Sequence, residues 1–77
     1  MAVTAYILVK ANTSEADRVK REMEALDDVT QANIVAGDVD FITKVSVESP
    51  SDVKDIVAGG IQTIAGVETT QTYVAMD

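Results

Sequence analysis

The positions of apolar and polar residues along the chain predict four strands and two helices. The first run, VTAYILVKA over residues 3–11, is almost wholly apolar and rich in β-branched residues, which is typical of a strand buried on both faces. A Thr- and Val-rich run over residues 67–76 predicts the last strand. Between them, residues 29–36 and residues 41–49 alternate and are joined by a short Gly/Asp segment, so they predict a β-hairpin.

Alternation within the hairpin assigns side chains to the two faces of the sheet. The first hairpin strand places Thr30, Ala32, Ile34 and Ala36 on one face and Val29, Gln31, Asn33 and Val35 on the other. The second places Phe41, Thr43, Val45 and Val47 on one face and Ile42, Lys44 and Ser46 on the other.

Two further segments carry apolar residues at helical spacing. In the first, Ser14 is the expected N-cap, and the apolar stripe is Ala16, Val19, Met23 and Leu26. In the second, Ser49 is the expected N-cap with Pro50 at the first helical position. That helix is predicted to run through Gly59 and Gly60 and to end at Gly66 in a left-handed conformation, with the stripe Val53, Ile56, Val57, Ile61 and Ile64.

The resulting order, β-α-β-β-α-β, predicts one α+β domain over residues 1–77 with the ferredoxin-like fold. Its four-stranded antiparallel sheet would carry both helices on one face. The other face has no covering element within the chain, yet Val29, Val35 and Ile42, or their neighbours on the opposite face, are expected there. An apolar sheet face left bare indicates an interface, so we expect a homodimer that packs sheet against sheet.

Composition narrows the function classes. The net charge is −7, from 13 acidic and 6 basic side chains, which argues against direct binding to nucleic acid. The chain has neither Cys nor His, which removes thiol chemistry and the commonest general base and metal ligand. With neither a membrane-spanning run nor a signal peptide, the expected location is the cytoplasm. Acidic composition with few lysines is also compatible with a halophilic protein.

Candidate chemistry is sparse. Asp38 and Asp40 could contribute oxygen ligands to a hard cation, but no further side-chain ligands accompany them. We therefore favour an ordinary turn in which these carboxylates bond local N–H groups. Nothing resembles a catalytic triad or a phosphate-binding loop, so neither an enzyme nor a cofactor is predicted. The hydroxyls of the last strand fit either ordinary β-propensity or the lining of a site for a small zwitterion.

Two stretches, VAGDVDFITKV and IAGVETTQTYVAM, resemble the effector domain of the Lrp/AsnC (feast/famine) transcription regulators, also called the RAM domain. The family pattern is Gly-x-x-Asp before an apolar strand, then Gly-Val and a strand carrying Thr-x-Thr. In this sequence those positions are Gly37, Asp40, Gly66, Val67, Thr70 and Thr72. The resemblance covers essentially the whole chain.

The resemblance implies a non-enzymatic amino-acid-binding domain whose dimers assemble into rings, with the ligand near the hairpin at contacts between dimers. It implies that Gly37 brings its backbone to the ligand and that Asp40 accepts from the α-ammonium group. Thr70 and Thr72 would supply hydroxyls. Ala36, Val39 and Phe41 would shape a small apolar wall. No Arg stands in these motifs to bind the α-carboxylate, which leaves backbone N–H groups for it.

Family members usually carry an N-terminal helix-turn-helix domain, whereas here Met1 leads straight into the first strand. We therefore expect a stand-alone effector domain that co-assembles with full-length Lrp/AsnC regulators, without contacting DNA or a membrane. Two alternatives remain open from the residues. One is a purely structural oligomerisation module, and the other is a small dimeric α+β-barrel enzyme, which shares the topology.

Overall fold

The computed structural model describes residues 2–77 and has the predicted order of elements. They are β1 (Val3–Ala11), α1 (Ala16–Glu24), β2 (Val29–Ile34), β3 (Phe41–Val47), α2 (Pro50–Gly59) and β4 (Val67–Val74), with a 3₁₀ turn at Ile61–Thr63. The strands form one antiparallel sheet in the order β2-β3-β1-β4. The ferredoxin-like α+β fold is therefore confirmed.

The core lies between the two helices and one face of the sheet. Alternate residues of β1 (Ala5, Ile7 and Val9) are fully buried there beneath Val19 and Met23 of α1. β3 contributes Phe41, Thr43, Val45 and Val47, the face predicted from its alternation. The Thr43 hydroxyl donates a hydrogen bond to the Met23 sulfur at 3.2 Å, so this buried polar group is satisfied inside an otherwise apolar core.

β1 is buried on only one face within the chain, so the expectation of burial on both faces is wrong for the monomer. Tyr6 is 39% exposed, because the face opposite the helices has no covering element. The apolar run is explained by its central position in the sheet, between β3 and β4.

A β-bulge in β2 corrects the predicted assignment of Val29. The register pairs Val29 with Val45 but Gln31 with Lys44, so Thr30 is an extra residue. Val29 consequently packs against the core, while Gln31 lies on the open face. Strict alternation cannot anticipate this, since one inserted residue reverses the phase of the pattern.

The start of α1 also differs from the prediction. Its N-cap is Glu15 and not Ser14. The Thr13 hydroxyl accepts a hydrogen bond from the Glu15 N–H at 2.9 Å, which places Ser14 inside a local turn and delays the helix by one residue. At α2 the predicted cap is correct, because Ser49 is the N-cap and its N–H donates to the Asp52 carboxylate at 3.1 Å.

The second helix ends earlier than predicted. α2 stops at Gly59, because Gly60 leaves the helical region at φ −123° and ψ −78°. A Cβ on Gly60 would lie 2.6 Å from the Ile56 carbonyl oxygen and 3.2 Å from Leu26, so close packing accounts for this glycine. Gly66 has the predicted positive φ, +102°, but it follows the 3₁₀ turn and not a helix.

The open face of the sheet carries aromatic, aliphatic and uncharged polar side chains and two lysines. Gln31, Lys44, Tyr6 and Tyr73 form a row directly across the four strands. The Lys44 ammonium lies 5.9 Å from the centre of the Tyr6 ring. The strand-paired residues of this face are Thr4, Tyr6, Leu8, Lys10, Gln31, Asn33, Ile42, Lys44, Ser46, Thr69, Gln71 and Tyr73, with no carboxylate among them.

Candidate functional site

The connection between β2 and β3 is a six-residue loop, residues 35–40, longer than a tight hairpin turn. The Val35 N–H donates to the Asp40 carbonyl at 2.9 Å and closes the loop at its base. The Asp40 N–H in turn donates to the Val9 carbonyl at 2.9 Å, which anchors the loop to the end of β1. Hydrogen bonds therefore fix the two ends of the loop to each other and to β1, while the tip of the loop extends beyond them.

The Asp40 side chain also has a structural contact. One carboxylate oxygen accepts a hydrogen bond from the Ala11 N–H at 2.9 Å. Ala11 follows an irregularity in the β1–β4 pairing, because the register shifts between Lys10 and Ala11. An ionised carboxylate has two oxygens and about four acceptor sites, so this bond still leaves capacity for a ligand.

A small hollow adjoins the Asp40 carboxylate. Its volume is about 80 Å³, and its lining is Ala11, Thr13, Ala16, Ile34, Val35, Asp40 and Phe41. Phe41 lines the hollow and is otherwise almost fully buried in the core. No cationic side chain lines the hollow, so within one chain it offers an anionic group and an apolar wall.

The loop tip, Ala36 to Val39, projects from the domain. Ala36, Gly37 and Asp38 are exposed and Val39 is half-buried. Gly37 does not have a positive φ, and a Cβ added to it would meet no atom within 4 Å. The fold of the single chain therefore does not require glycine at this position.

Thr70 and Thr72 lie elsewhere, in a groove between α2 and β4. They pair with Val9 and Ile7, so they point to the helix side of the sheet. The groove measures about 500 Å³ and is lined by Pro50, Val53, Lys54, Val57, Ala58, Gln62, Thr70, Thr72 and Val74. The Gln62 amide donates to the Thr70 hydroxyl at 2.8 Å, which orients both polar groups.

The hairpin hollow and the groove share no lining residue. Asp40 is bonded to Val9 and Ala11 of β1, and β4 is the next strand of the sheet. Asp40 therefore lies about two strand spacings, about 10 Å, from β4. One chain consequently does not bring the Asp40 carboxylate into contact with Thr70 and Thr72.

Two residues outside the sequence-predicted set contribute to these sites. Lys54 is the cation that lines the groove. Its position next to Val53, a residue of the apolar stripe of α2, is the sequence signal that indicates a place beside this groove. Ala11 supplies the N–H that holds Asp40, and only the register of the sheet reveals that contact.

Arg18 ties α1 to the loop that precedes β4. Its guanidinium pairs with Glu22 and with Glu15 and donates to the Ala65 carbonyl at 3.0 Å. The hydrogen bond to Glu22 is the main reason why the pKa of Arg18 is raised above its ordinary value. The arginine therefore serves the fold as a permanent cation at this end of the sheet.

Neither a metal-binding cluster nor a membrane-spanning helix is present in residues 2–77. No three acidic side chains come close enough together to hold an ion. None of the helices combines the length and the apolar character needed to cross a bilayer.

A sequence model of the Lrp/AsnC ligand binding domain matches residues 4–77. This chain belongs to the Lrp/AsnC ligand-binding domain family. It is 22% identical over 77 residues to the leucine-responsive regulatory protein of Haemophilus influenzae, covering all of this chain but 46% of that protein. This Lrp/AsnC domain thus spans about half the length of that curated relative.

Solved structures share the fold of this Lrp/AsnC domain. The protein TTHA0845 from Thermus thermophilus has a TM-score of 0.91 and 25% identity, with 97% of this chain and 94% of that one aligned. A transcriptional regulator of Neisseria meningitidis, solved as a complex with L-Met, has a TM-score of 0.85 and 14% identity. That alignment covers 97% of this chain and 50% of the Neisseria chain.

Proposed function

We propose that this Lrp/AsnC domain is a non-enzymatic amino-acid sensor that modulates transcription by co-assembly with full-length Lrp/AsnC regulators. The observation that carries the proposal is the placement of the Asp40 carboxylate beside an apolar hollow at the base of an exposed glycine loop. The bond from Ala11 orients that carboxylate before any ligand arrives. A pre-oriented acceptor loses less entropy on binding.

The chemistry of the loop suits the polar end of an amino acid. An α-ammonium group would donate to Asp40, and charge-assisted hydrogen bonds of this kind are about twice as strong as neutral ones. Gly37 would admit the ligand close to its backbone, since the space beside its Cα is open. Ala36, Val39 and Phe41 would border the carbon atoms of the ligand, with Phe41 reached through the hollow.

Dimerisation through the open sheet face is part of the proposal. Tyr6, Ile42 and Tyr73 are 39%, 36% and 51% exposed on that face, on three neighbouring strands. Burying large apolar and aromatic side chains of this kind stabilises association. The whole chain is acidic, yet none of the strand-paired residues of this face is a carboxylate. A face without carboxylates fits contact with a second copy better than contact with water.

A second candidate is a structural oligomerisation module with no ligand. The Asp40–Ala11 hydrogen bond favours it to some degree, because this bond gives the aspartate a role in the fold alone. The barrel-enzyme alternative has less support, because the family is one of ligand-binding domains of transcriptional regulators and the chain has no histidine.

A thermal-melting screen with each of the twenty amino acids separates these candidates. A bound amino acid stabilises the native state by mass action, by about 2.7 kcal/mol at a concentration one hundred times its dissociation constant. The sensor predicts a rise in melting temperature with at least one amino acid and none with the same amino acid in the Asp40→Asn variant. A domain that melts identically in all twenty would be a structural module.

A further inference from the structure

The hairpin hollow, the small cavity beside Asp40, has a largely apolar wall. Its apolar lining residues come from β1, α1, β2, the loop and β3, and they are Ala11, Ala16, Ile34, Val35 and Phe41. The other two lining residues, Thr13 and Asp40, are already oriented by the fold. The Thr13 hydroxyl accepts from the Glu15 N–H, and one Asp40 oxygen accepts from the Ala11 N–H, both at 2.9 Å. The hollow thus sets a fixed carboxylate next to an apolar space.

The volume of the hollow limits the size of the group that can enter it. That volume is about 80 Å³. An apolar protein cavity of about 150 Å³ accepts benzene, which has six carbon atoms, so the hollow has room for about three. A side chain with an aromatic ring exceeds this space.

Ile34 is the exposed member of the apolar lining. It ends β2 and pairs with the buried Phe41, yet its own side chain is 45% exposed. An aliphatic group that enters the hollow removes part of this apolar surface from water, which favours binding. A polar or charged group in the same place would lose its hydration without gaining a partner from the apolar wall.

Resting on the function proposed above, we infer that the hairpin hollow receives the side chain of the amino acid and selects small aliphatic amino acids, with valine preferred. The α-ammonium group donates to Asp40, and the side chain extends from there into the hollow. Aromatic amino acids are excluded by size, and acidic ones by repulsion from Asp40. Ala16 and Ile34 determine the selectivity, because a larger residue at Ala16 narrows the hollow and a smaller one at Ile34 widens it.

Calorimetric titration of the natural chain with glycine, L-alanine, L-valine and L-phenylalanine tests the selectivity. We expect affinity to rise about fourfold for each carbon atom added from glycine to valine, the factor for burying one methylene group. L-Phenylalanine should bind at least about tenfold more weakly than L-valine, because its ring does not fit the hollow. Equal affinities for glycine and valine, or phenylalanine binding as tightly as valine, would overturn the selectivity and leave amino-acid sensing intact.

Two variants that change the hollow in opposite directions test its assignment. Ala16→Val narrows the hollow, and we expect it to weaken L-valine binding at least about tenfold while glycine binds as before. Ile34→Ala widens the hollow, and we expect L-leucine to gain affinity relative to L-valine. Ala25→Val makes the same substitution at an exposed residue that ends α1, away from the hollow, and should leave every affinity unchanged.

Thermal melting without ligand shows whether each variant is folded. Ile34→Ala carries the test if Ala16→Val does not fold, because the Ile34 side chain is only about half buried. Unchanged L-valine affinity in a folded Ala16→Val chain, or an unchanged leucine-to-valine ratio in Ile34→Ala, would overturn the assignment of the side chain to the hollow. If the natural chain binds no amino acid, the sensor function and the selectivity both fail; if it binds through Asp40 without regard to side-chain size, only the selectivity fails.

Discussion

The carboxylate of Asp40 and the backbone N–H of Ala11 are joined by a hydrogen bond of 2.9 Å across 29 positions of the chain. The bond links the loop between β2 and β3 to the end of β1, where the pairing with β4 becomes irregular. The side chain proposed to hold the ligand is therefore also part of the fold. The two roles of Asp40 can be separated by substitution. Accepting the bond from Ala11 requires only a side-chain oxygen, whereas binding an ammonium group favours a negative charge.

Asp40→Ala should lower the free energy of unfolding by about 1–3 kcal/mol, since it leaves the partly buried Ala11 N–H without its acceptor. Asp40→Asn should cost clearly less, because the amide oxygen still accepts that bond. Urea unfolding measures both. Asp38→Ala, at an exposed position of the same loop, is the matched control and should stay within about 0.5 kcal/mol of the natural chain. Equal losses for Ala and Asn would show that the Ala11 bond is not the source of the effect.

Gly37→Ala should leave the fold unchanged or stabilise it by up to about 1 kcal/mol, because a Cβ there meets open space and φ is not positive. The same variant should weaken amino-acid binding if the glycine serves close approach. Gly66→Ala should be destabilising, since φ is +102° and its Cβ would lie 3.1 Å from Thr13. Thermal melting, with and without ligand, distinguishes the two glycines. Unimpaired ligand binding by Gly37→Ala would count against the close-approach role.

Ile42→Lys should dissociate the proposed sheet-to-sheet dimer. It adds a cation to a face whose paired residues already include Lys10 and Lys44 and no carboxylate, so two such faces would repel each other. Sedimentation analysis gives the mass, and circular dichroism confirms that the fold is retained. Ser51→Lys, at an exposed position of α2, is the control and should remain a dimer. An unchanged mass for Ile42→Lys would exclude this face as the interface.

Thr43→Val should change stability by no more than about 1.5 kcal/mol, the net contribution of one hydrogen bond, although Thr43 is completely buried. Its hydroxyl donates only to the Met23 sulfur, a weak acceptor, and valine has a similar shape. Chemical unfolding of the variant provides the value. A loss of about 3 kcal/mol or more, on the order of the cost of truncating a core side chain, would mean that the contact to the sulfur is far stronger than its chemistry indicates.

Much of the fold could be predicted because side-chain alternation reports directly on burial. The two faces of β3, with Phe41 buried and Ile42 exposed, follow from alternation alone. Alternation assigns Val29 to the wrong face, because the bulge at Thr30 is not visible in the pattern of apolar residues. The apolar stripe predicts Gly60 inside a helix, because the close packing of this glycine against Leu26 is a tertiary contact that the stripe does not show.

The candidate site was harder to predict for a physical reason. Alternation shows which face a residue occupies, but it does not show which strands are neighbours. The motifs group Asp40 with Thr72, whereas within one chain Asp40 is bonded to β1 beside the hairpin hollow and Thr72 lines a separate groove on β4. The sequence does not single out Lys54, because an exposed lysine in a helix is usually a solvated charge, and only the structure shows that it lines a groove.

The most direct test of amino-acid sensing at the hairpin is calorimetric titration of the natural chain and of Asp40→Asn with the amino acid found in the melting screen. Sensing through Asp40 predicts saturable binding to the natural chain and a loss of affinity of at least about tenfold in the variant, with an unchanged oligomer mass. Equal affinity in the two proteins would contradict the central claim, because a ligand indifferent to Asp40 does not place its ammonium group there.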